Sequence, residues 1–413
     1  MINYQKFELD NGLKVIFHQD KTTPIATINL IYIVGSKNED PQKTGWAHLL
    51  EHLMFEGTYN NSNFDKILEL AGGTNNAFTN EDYTNYYIVI PKNNIELALW
   101  LEADRMQNLK LDQQSVDTQK KVVIEEFKQM VLNEPYEDAM IHLCKLAYKT
   151  HPYNWTTIGK KISHIQKANV DEIRDFYNRF YSPNNAILSI GGDFEFEDIK
   201  KLVIKYFGGI KPSNFIKPYI SQEKPQKTRR FAEVSKNVPH NRIYMAFHYG
   251  PRMSKDFYAF DIITDILDDG KSARFYRNLI KNNQFFDELE AFITSSIDSG
   301  LIVFIAQPSE NIKLDDAELY LWQELEKLKY QDVEDWEIQK TINSLEFANN
   351  IIKTNIYQKT QSLGYYEMLS NCEILNNEID KYKEISKQDI KNFAINTFVH
   401  SKANVLYYKS LKK

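Results

Sequence analysis

The sequence predicts an α+β fold made of two similar domains, in which strands are followed by helices. With 413 residues, the chain is long enough to bury two hydrophobic cores. The stretch between Pro212 and Pro225 is rich in Pro, Ser, Lys and Gln, which is typical of a linker. The predicted domains are therefore residues 1–211 and 226–413, joined by a linker over residues 212–225. The similar order of elements indicates that the two halves are diverged copies.

The first half begins with a predicted β-hairpin. Two alternating segments, Tyr4 to Leu9 and Leu13 to His18, flank the turn signal Asp10-Asn11-Gly12. The rest of this half is predicted as a strand at 26–34, helices at 44–57 and 63–71, strands at 75–79 and 83–90, helices at 94–106, 113–132, 136–149 and 170–181, a strand at 186–190 and a helix at 196–206.

The second half repeats this order in outline. Its predicted elements are a strand at 243–249, a helix at 257–267, strands at 290–295 and 301–307, long helices and a last strand at 403–408. The helix at 257–267 matches the position of the helix at 44–57, and it contains no histidine.

Composition excludes several classes of protein. The net charge of −6, from 50 basic and 56 acidic residues, argues against a nucleic-acid binder. Cys144 and Cys372 are far apart and form no C-x-x-C pattern, so neither a disulfide framework nor a thiolate metal site is expected. No run of 18 apolar residues predicts a membrane span, and no signal peptide begins the chain. A cytoplasmic location is expected, or a periplasmic one if a leader was removed.

The helix at 44–57 carries the pattern His48-x-x-Glu51-His52 inside an otherwise apolar sequence. Residues four apart on a helix lie one turn above each other, so His48 and His52 can bind one zinc ion. Glu51 lies near the same face and can act as a general base without binding the metal. This order of residues is the known inverzincin signature. The alternative is a chance match with two hydrogen-bonded core histidines, and the i, i+4 pair with an acid between favours the metal.

A catalytic zinc needs a third protein ligand. The predicted helix at 113–132 carries Glu125 and Glu126, which cannot both face one side because consecutive helical residues are about 100° apart. Glu126 lies in line with Gln119 and Met130, which slightly favours it, but geometry alone leaves both glutamates open.

Several motifs together resemble the insulinase/pitrilysin family of inverzincin metallopeptidases. The resemblance is to its short-chain branch, which includes the mitochondrial processing peptidase β subunit and bacterial relatives. The motifs are His48-Leu49-Leu50-Glu51-His52 with Phe55-Glu56-Gly57-Thr58, Gly72-Gly73 with Asn76-Ala77-Phe78-Thr79, Val122-Val123-Ile124-Glu125-Glu126, His151-Pro152-Tyr153, and Tyr181-Ser182-Pro183-Asn184-Asn185-Ala186 leading to Gly191-Gly192-Asp193-Phe194.

The resemblance implies a mixed, mainly antiparallel sheet in each domain, with the two domains forming half of a clamshell. It implies that Glu126 is the third zinc ligand and that substrates are unfolded peptides inside an enclosed chamber. The strand Asn76, Ala77, Phe78 and Thr79 would pair with the peptide as an added β-strand. One Zn²⁺ per chain is expected, because the second half has no metal helix.

Two departures from the family pattern affect these expectations. Gln119 stands where many relatives have an acid, so it is expected to orient a ligand or water without acting as a base. Ile280 and Asp287 stand where the family has an Arg and a Tyr that bind the substrate and the oxyanion. Other registers of this segment give no Arg/Tyr pair either. We therefore expect a heterodimer with a homologous, zinc-less subunit that supplies the pair, with a homodimer as the fallback.

The sequence thus predicts a zinc-dependent endopeptidase. Two alternatives stay open at this point: a non-catalytic peptide-binding or scaffold subunit, and an amidase that acts on small molecules in a narrow pocket. The remaining histidines are expected to be structural: His18, His142, His151, His164, His240, His248 and His400.

Overall fold

A computed structural model describes residues 1–214 and 216–411, which form two compact units. The units are assembled from three segments each. Unit 1 contains Met1–Lys128, Trp155–Ile220 and Asn349–Asn376, and unit 2 contains Gln129–Asn154, Ser221–Ala348 and Asn377–Lys413. This division differs from the continuous domains 1–211 and 226–413, because each unit contains a helical segment from the other half of the sequence.

Unit 1 is built on a six-stranded mixed sheet, and the predicted hairpin forms its first two strands. The strands are β1 (Gln5–Glu8), β2 (Lys14–Gln19), β3 (Ile25–Tyr32), β4 (Thr74–Thr79), β5 (Thr84–Pro91) and β6 (Ala186–Gly192). Their order is β1-β2-β6-β3-β5-β4, and only the β2–β6 pair is parallel. The central strand β3 is buried over seven of its eight residues, which explains its almost continuous apolar sequence.

Unit 2 is built on a five-stranded sheet of the same design. The strands are β7 (Arg230–Lys236), β8 (Arg242–His248), β9 (Phe286–Ile293), β10 (Leu301–Pro308) and β11 (Asn404–Ser410). Their order is β7-β11-β8-β10-β9, and only the β7–β11 pair is parallel. Without β1, the first sheet has the same order and directions, so the predicted similarity of the two halves extends to strand topology.

Helices account for most of the remaining chain. They are α1 (Trp46–Leu53), α2 (Phe64–Leu70), α3 (Ile95–Asn108), α4 (Gln113–Lys128), α5 (Ala139–Ala147), α6 (Ile162–Gln166), α7 (Val170–Phe180), α8 (Phe196–Phe207), α9 (Lys255–Asp268), α10 (Leu314–Tyr330), α11 (Asp335–Ile352), α12 (Ile356–Leu369), α13 (Ile374–Lys383) and α14 (Lys387–Thr397). Two π-helical segments, Gln129–Asn133 and Phe275–Asn282, follow α4 and α9. No helix of the described residues is both long and apolar enough to cross a lipid bilayer.

One face of each sheet is covered by a helix from the other half of the sequence. In unit 1, α12 packs on β3 and β6, where Thr27 donates a hydrogen bond to Thr360 at 2.8 Å and Leu363 joins an apolar cluster. In unit 2, α5 packs on β8 and β11 through Leu143 and its neighbours. These two helices explain why neither unit is a continuous stretch of sequence.

Candidate active site

Helix α1 brings His48 and His52 together on its one polar face. Trp46, Ala47, Leu49, Leu50 and Leu53 are buried, whereas the two histidines and Glu51 are only partly buried. The Nε2 atoms of the histidines lie 3.2 Å apart, with ring centroids 4.7 Å apart and ring planes almost perpendicular at 86°. Helix α1 ends at Leu53, earlier than predicted, and Gly57 has the expected positive φ of +102° in the turn that follows.

The third side chain of this cluster is Glu126 on α4. Its Oε2 lies 3.4 Å from Nε2 of His52 and 3.8 Å from Nε2 of His48. Glu125 points elsewhere: it is 71% exposed and forms an ion pair with Lys128 at 2.6 Å. The structure therefore distinguishes between the two glutamates that spacing left open, because only Glu126 faces the histidines.

The three side chains fit a zinc ion. Two imidazoles and one carboxylate are a known donor set of catalytic zinc, and ligand bonds of 2.0–2.2 Å in a tetrahedron leave ligand atoms about 3.3 Å apart. The observed separations of 3.2, 3.4 and 3.8 Å are close to this value. Burial and then the neighbouring His52 lower the pKa of His48 to about 4, so its ring is neutral at pH 7 and offers a lone pair. Among the described residues, His48, His52 and Glu126 form the one group of at least three His, Cys, Asp or Glu side chains whose ligand atoms lie close enough together to hold a metal ion.

Glu51 lies one residue before His52 but does not belong to the group of three. Burial raises the pKa of its carboxyl group, while hydrogen bonds from the side chain and the backbone N–H of Thr79 lower it. The net shift is upward. A partly buried carboxyl group with a raised pKa beside a metal-type cluster is suited to proton transfer near neutral pH.

Thr79 ends β4, the edge strand for which the family resemblance implies peptide binding. In the order of the sheet, β4 has a neighbour only on the β5 side. The backbone N–H of Ala77 bonds to the side-chain oxygen of its neighbour Asn76 at 2.8 Å, and Phe78 packs edge-to-face on Tyr83. Strand β4 therefore lies beside Glu51, and only one of its two edges is paired with another strand of the sheet.

Gln119 bonds to Glu56, a residue of the family motif to which the sequence assigned no separate role. Its side-chain amide donates a hydrogen bond to Glu56, in the turn after α1. The side-chain amide of Gln119 thus bonds to Glu56 rather than to His48, His52 or Glu126, and its expected role of orienting a ligand or a water stays a prediction. Glu56 follows His52 by four residues, and this spacing was the available signal.

A second unpredicted residue, Glu39, binds the N-terminal end of α1. One carboxylate oxygen accepts a hydrogen bond from the N–H of Gly45 and the other from the N–H of Ala47, both at 2.9 Å. The indole N–H of Trp155 also donates to Glu39, at 3.2 Å. Glu39 is only 5% exposed. It lies outside every periodic pattern of the sequence, so no signal short of the fold identified it.

The second half contains no equivalent cluster among its described residues. Helix α9 occupies the place of α1 in the order of elements and carries no histidine. Ile280 lies in the π-helical segment Phe275–Asn282, and Asp287 at the start of β9 accepts a hydrogen bond from Ser309. Ile280 and Asp287 therefore both lie in regular secondary structure of unit 2.

The other histidines lie apart from the cluster, and several have defined partners. His18 bonds to the carbonyl of Asn3 at 2.7 Å, His142 to Asp138 at 3.0 Å, and His248 to the carbonyl of Ala147 at 3.0 Å. His151 bonds to the N–H of Tyr153 at 3.1 Å, which supports its structural interpretation.

Together, the fold and the cluster define a two-sheet α+β protein with a His-His-Glu metal-type site next to a second acid, Glu51. Comparison with known proteins then identifies the family. The model of the family described as Insulinase (Peptidase family M16) matches residues 14–161, and that of the Peptidase M16 inactive domain matches residues 167–345.

Individual relatives agree with this assignment. The chain is 30% identical to Zinc protease PqqE of Helicobacter pylori, over 84% of this chain and 80% of that protein. It is 31% identical to the Probable mitochondrial-processing peptidase subunit beta of Schizosaccharomyces pombe, over 50% of this chain and 45% of that protein. A crystal structure of a protease from Helicobacter pylori matches with a TM-score of 0.93 and 27% identity, covering 99% of this chain and 100% of that one. The chain belongs to the insulinase family, peptidase family M16, as its motifs predicted.

Proposed function

We propose that this chain is a zinc-dependent endopeptidase that binds one zinc ion through His48, His52 and Glu126. The observation that carries the proposal is the convergence of their three ligand atoms at tetrahedral spacing, beside a second acid, Glu51, with a raised pKa. Relatives named zinc proteases support the choice of metal and of reaction.

Glu51 is the general base of the proposed reaction. When bound, zinc would polarise the scissile carbonyl and make the attacking water more acidic. A carboxylate oxygen of Glu51 takes the proton of this water and then delivers it to the nitrogen of the departing amine. Because burial raises its pKa, Glu51 holds this proton more readily than an exposed glutamate would. The N–H and hydroxyl of Thr79 orient the carboxylate between the two transfers.

The proposed substrate is an unfolded peptide that binds as an additional strand at the edge of β4. Main-chain hydrogen bonds tolerate many sequences, and an edge strand accepts only an extended partner. Residues Asn76, Ala77, Phe78 and Thr79 offer this edge directly beside Glu51. A zinc-dependent amidase for small molecules would have no use for such an edge.

We further propose that the active form contains a homologous subunit without the zinc motif. Ile280 and Asp287 replace the Arg and Tyr of the family, so the donors for substrate and oxyanion would come from the partner. A homodimer is the fallback. The match to a relative named as a peptidase subunit supports an assembly of two chains.

A non-catalytic peptide-binding or scaffold subunit is the second candidate. Two observations favour it: residues 167–345 match a domain described as inactive, and the Arg/Tyr pair is missing. The complete set of His48, Glu51, His52 and Glu126 favours the enzyme, because a scaffold does not need a general base next to a metal site.

The substitution Glu51→Gln tests the enzyme against the scaffold. The variant should bind zinc like the parent chain and lose at least about a hundredfold in cleavage of an unfolded peptide mixture. Both proteins should be assayed alone and with a homologous motif-less chain, with and without a zinc chelator. Glu69→Gln, at an exposed acid of α2, is the control and should retain activity. Equal turnover by the Glu51 variant and the parent would exclude the proposed mechanism.

A further inference from the structure

We infer that Glu39 is a positioning residue of the zinc site, which fixes the first turn of α1 and thereby the direction of the His48 side chain. The inference rests on the proposed function, and it assigns a role to a buried acid that contacts neither metal nor substrate. Its basis is the set of hydrogen bonds at the start of α1.

Helix α1 cannot cap its own N-terminus. The N-cap residue is Gly45, which has φ +88° and no side chain to accept a hydrogen bond from the first turn. The first backbone N–H groups of a helix have no partner inside the helix. A helix of eight residues is also too short to be stable by itself, so its N-terminal end must be held from outside.

The carboxylate of Glu39 supplies this missing cap. Its two oxygens accept from the N–H groups of Gly45 and Ala47, one oxygen for each, at 2.9 Å. Burial raises the pKa of Glu39 to about 8, although the N–H donors of Ala47, Gly45 and Trp155 oppose this shift, so the cap rests on the hydrogen bonds rather than on a full negative charge. The two backbone hydrogen bonds fix the chain immediately before His48, because Ala47 is the preceding residue.

The residues around the start of α1 leave little room for another backbone conformation there. A Cβ atom on Gly45 would lie 2.6 Å from Cδ1 of Ile165 and 3.0 Å from the carbonyl oxygen of Ile158, so the chain enters the helix through a narrow space. Trp155 donates one indole N–H both to Glu39 and to the carbonyl of Ser36, at 3.2 and 3.0 Å. Glu39 is thus held from a second side, and a shift of α1 would break several of these hydrogen bonds together.

The position of His48 matters because the three ligand atoms of the site lie only 3.2 to 3.8 Å apart. A small rotation of the first turn would move Nε2 of His48 more than the other ligand atoms, since His52 lies one turn further along and Glu126 lies on α4. Loss of a group that orients a metal ligand typically lowers metal affinity about 10- to 100-fold. We expect the lower end of this range, because Glu39 acts through the backbone.

The test compares Glu39→Gln with Asn169→Ala. Glutamine keeps the size of Glu39, but its amide NH₂ would face one of the two backbone N–H groups. Asn169 caps α7 in the same unit by accepting from the N–H of Glu172 at 2.9 Å, and α7 carries no zinc ligand. Zinc affinity is measured by competition with a chromogenic chelator, together with thermal unfolding of each metal-free protein.

The Glu39→Gln chain should bind zinc about tenfold more weakly than the parent. Asn169→Ala should lower thermal stability and leave zinc affinity unchanged. Should Glu39→Gln fail to fold, Glu39→Asp replaces it: this carboxylate is one methylene shorter, reaches only one of the two N–H groups, and should also weaken zinc binding. Unchanged zinc affinity in a folded Glu39 variant, or an equal loss in Asn169→Ala, would overturn the inference. A parent chain that binds no zinc would instead reject the proposed function.

Discussion

The side chains of the metal-type cluster owe their directions to buried neighbours on their own helices. On α1, Leu49, Leu50 and Leu53 are buried, and His48 and His52 lie on the remaining, partly exposed face. On α4, Val123 and Phe127 are buried, and Glu126 next to Phe127 faces the histidines. At the residue scale, the i, i+4 spacing was enough to predict the histidine pair. It could not choose between Glu125 and Glu126, since that choice depends on which face of α4 the fold buries.

Substitution of the two glutamates separates their roles. We expect Glu126→Gln to lower zinc affinity by at least about a hundredfold, because an amide is a much weaker zinc ligand than a carboxylate. Glu125→Gln removes an equal charge one residue away and should change zinc affinity less than twofold. Metal content after dialysis against a chelator measures both. A larger loss in the Glu125 variant would show that α4 presents its other face.

A second residue-scale prediction concerns acid stability. Asp20 accepts hydrogen bonds from Lys359 on α12 and from the N–H of Thr22 at 3.0 Å. Burial alone would raise the pKa of Asp20, but these hydrogen bonds lower it to about 2, below the model-compound value of 3.8. The stabilisation is therefore complete above pH 3.8 and is lost as the pH falls towards 2, and it amounts to about 2 kcal/mol.

The variant Asp20→Asn should thus be less stable than the parent by about 2 kcal/mol at pH 7, with a smaller difference at pH 3. Urea unfolding at both pH values measures the free energies. Asp198→Asn is the control, because the ion pair of Asp198 with Lys201 is exposed. A difference that stayed constant from pH 7 to pH 3 would contradict the role of Asp20 as the titrating group.

At the scale of elements, the sequence predicted most helices and strands but not what they cover. Alternation and apolar runs located ten of the eleven strands found in the described residues; β7 was missed, since Arg230, Glu233 and Lys236 make it largely polar. Nothing in the sequence of α12 indicates that it belongs to the first sheet. Its contacts with β3 join residues more than three hundred positions apart, as in the Thr27–Thr360 hydrogen bond, and its contacts with β6 join residues more than 160 positions apart. Local sequence patterns do not indicate which residues distant in sequence will contact each other.

The packing of α12 depends on a glycine in β6. A Cβ atom on Gly191 would collide with the hydroxyl of Thr360 and would lie 2.8 Å from Cδ1 of Ile356. Gly191→Ala should therefore push α12 away from the sheet and destabilise the protein by about 1 to 3 kcal/mol. Gly209→Ala is the control, because no atom lies within 4 Å of the added Cβ, and its effect should stay within about 0.5 kcal/mol. Denaturant unfolding measures both, and equal stabilities would argue against close packing at Gly191.

At the scale of the whole molecule, the two halves are similar in topology and exchange one helix each. The predicted boundary near residues 212–225 marks the end of the first half of the sequence, but it does not delimit a compact unit. The segment Asn349–Asn376 belongs to unit 1, and Gln129–Asn154 belongs to unit 2. Composition predicted a linker at residues 212–225, whereas the exchange of helices depends on tertiary packing and could not be predicted from composition.

A fragment of residues 1–211 should consequently fail to fold by itself. Without α12, the apolar side chains of Ile16 and Ile187 that pack with Leu363 would face water. We expect binding of a hydrophobic dye and no cooperative thermal transition. The control is the full chain cleaved after Lys217, in the predicted linker, which retains every segment and should still unfold cooperatively. A cooperative transition of the fragment alone would show that α12 is dispensable.

The late synthesis of α12 also determines when the first sheet can be covered during translation. A ribosome that adds roughly 5 to 20 residues per second needs on the order of ten to thirty seconds to proceed from Ile220 to Asn376. During this interval, β3 and β6 have been synthesised, but the helix that covers them has not. The nascent chain must therefore keep one face of its first sheet from aggregating until α12 has left the ribosome, which makes this face a natural binding site for a chaperone during synthesis.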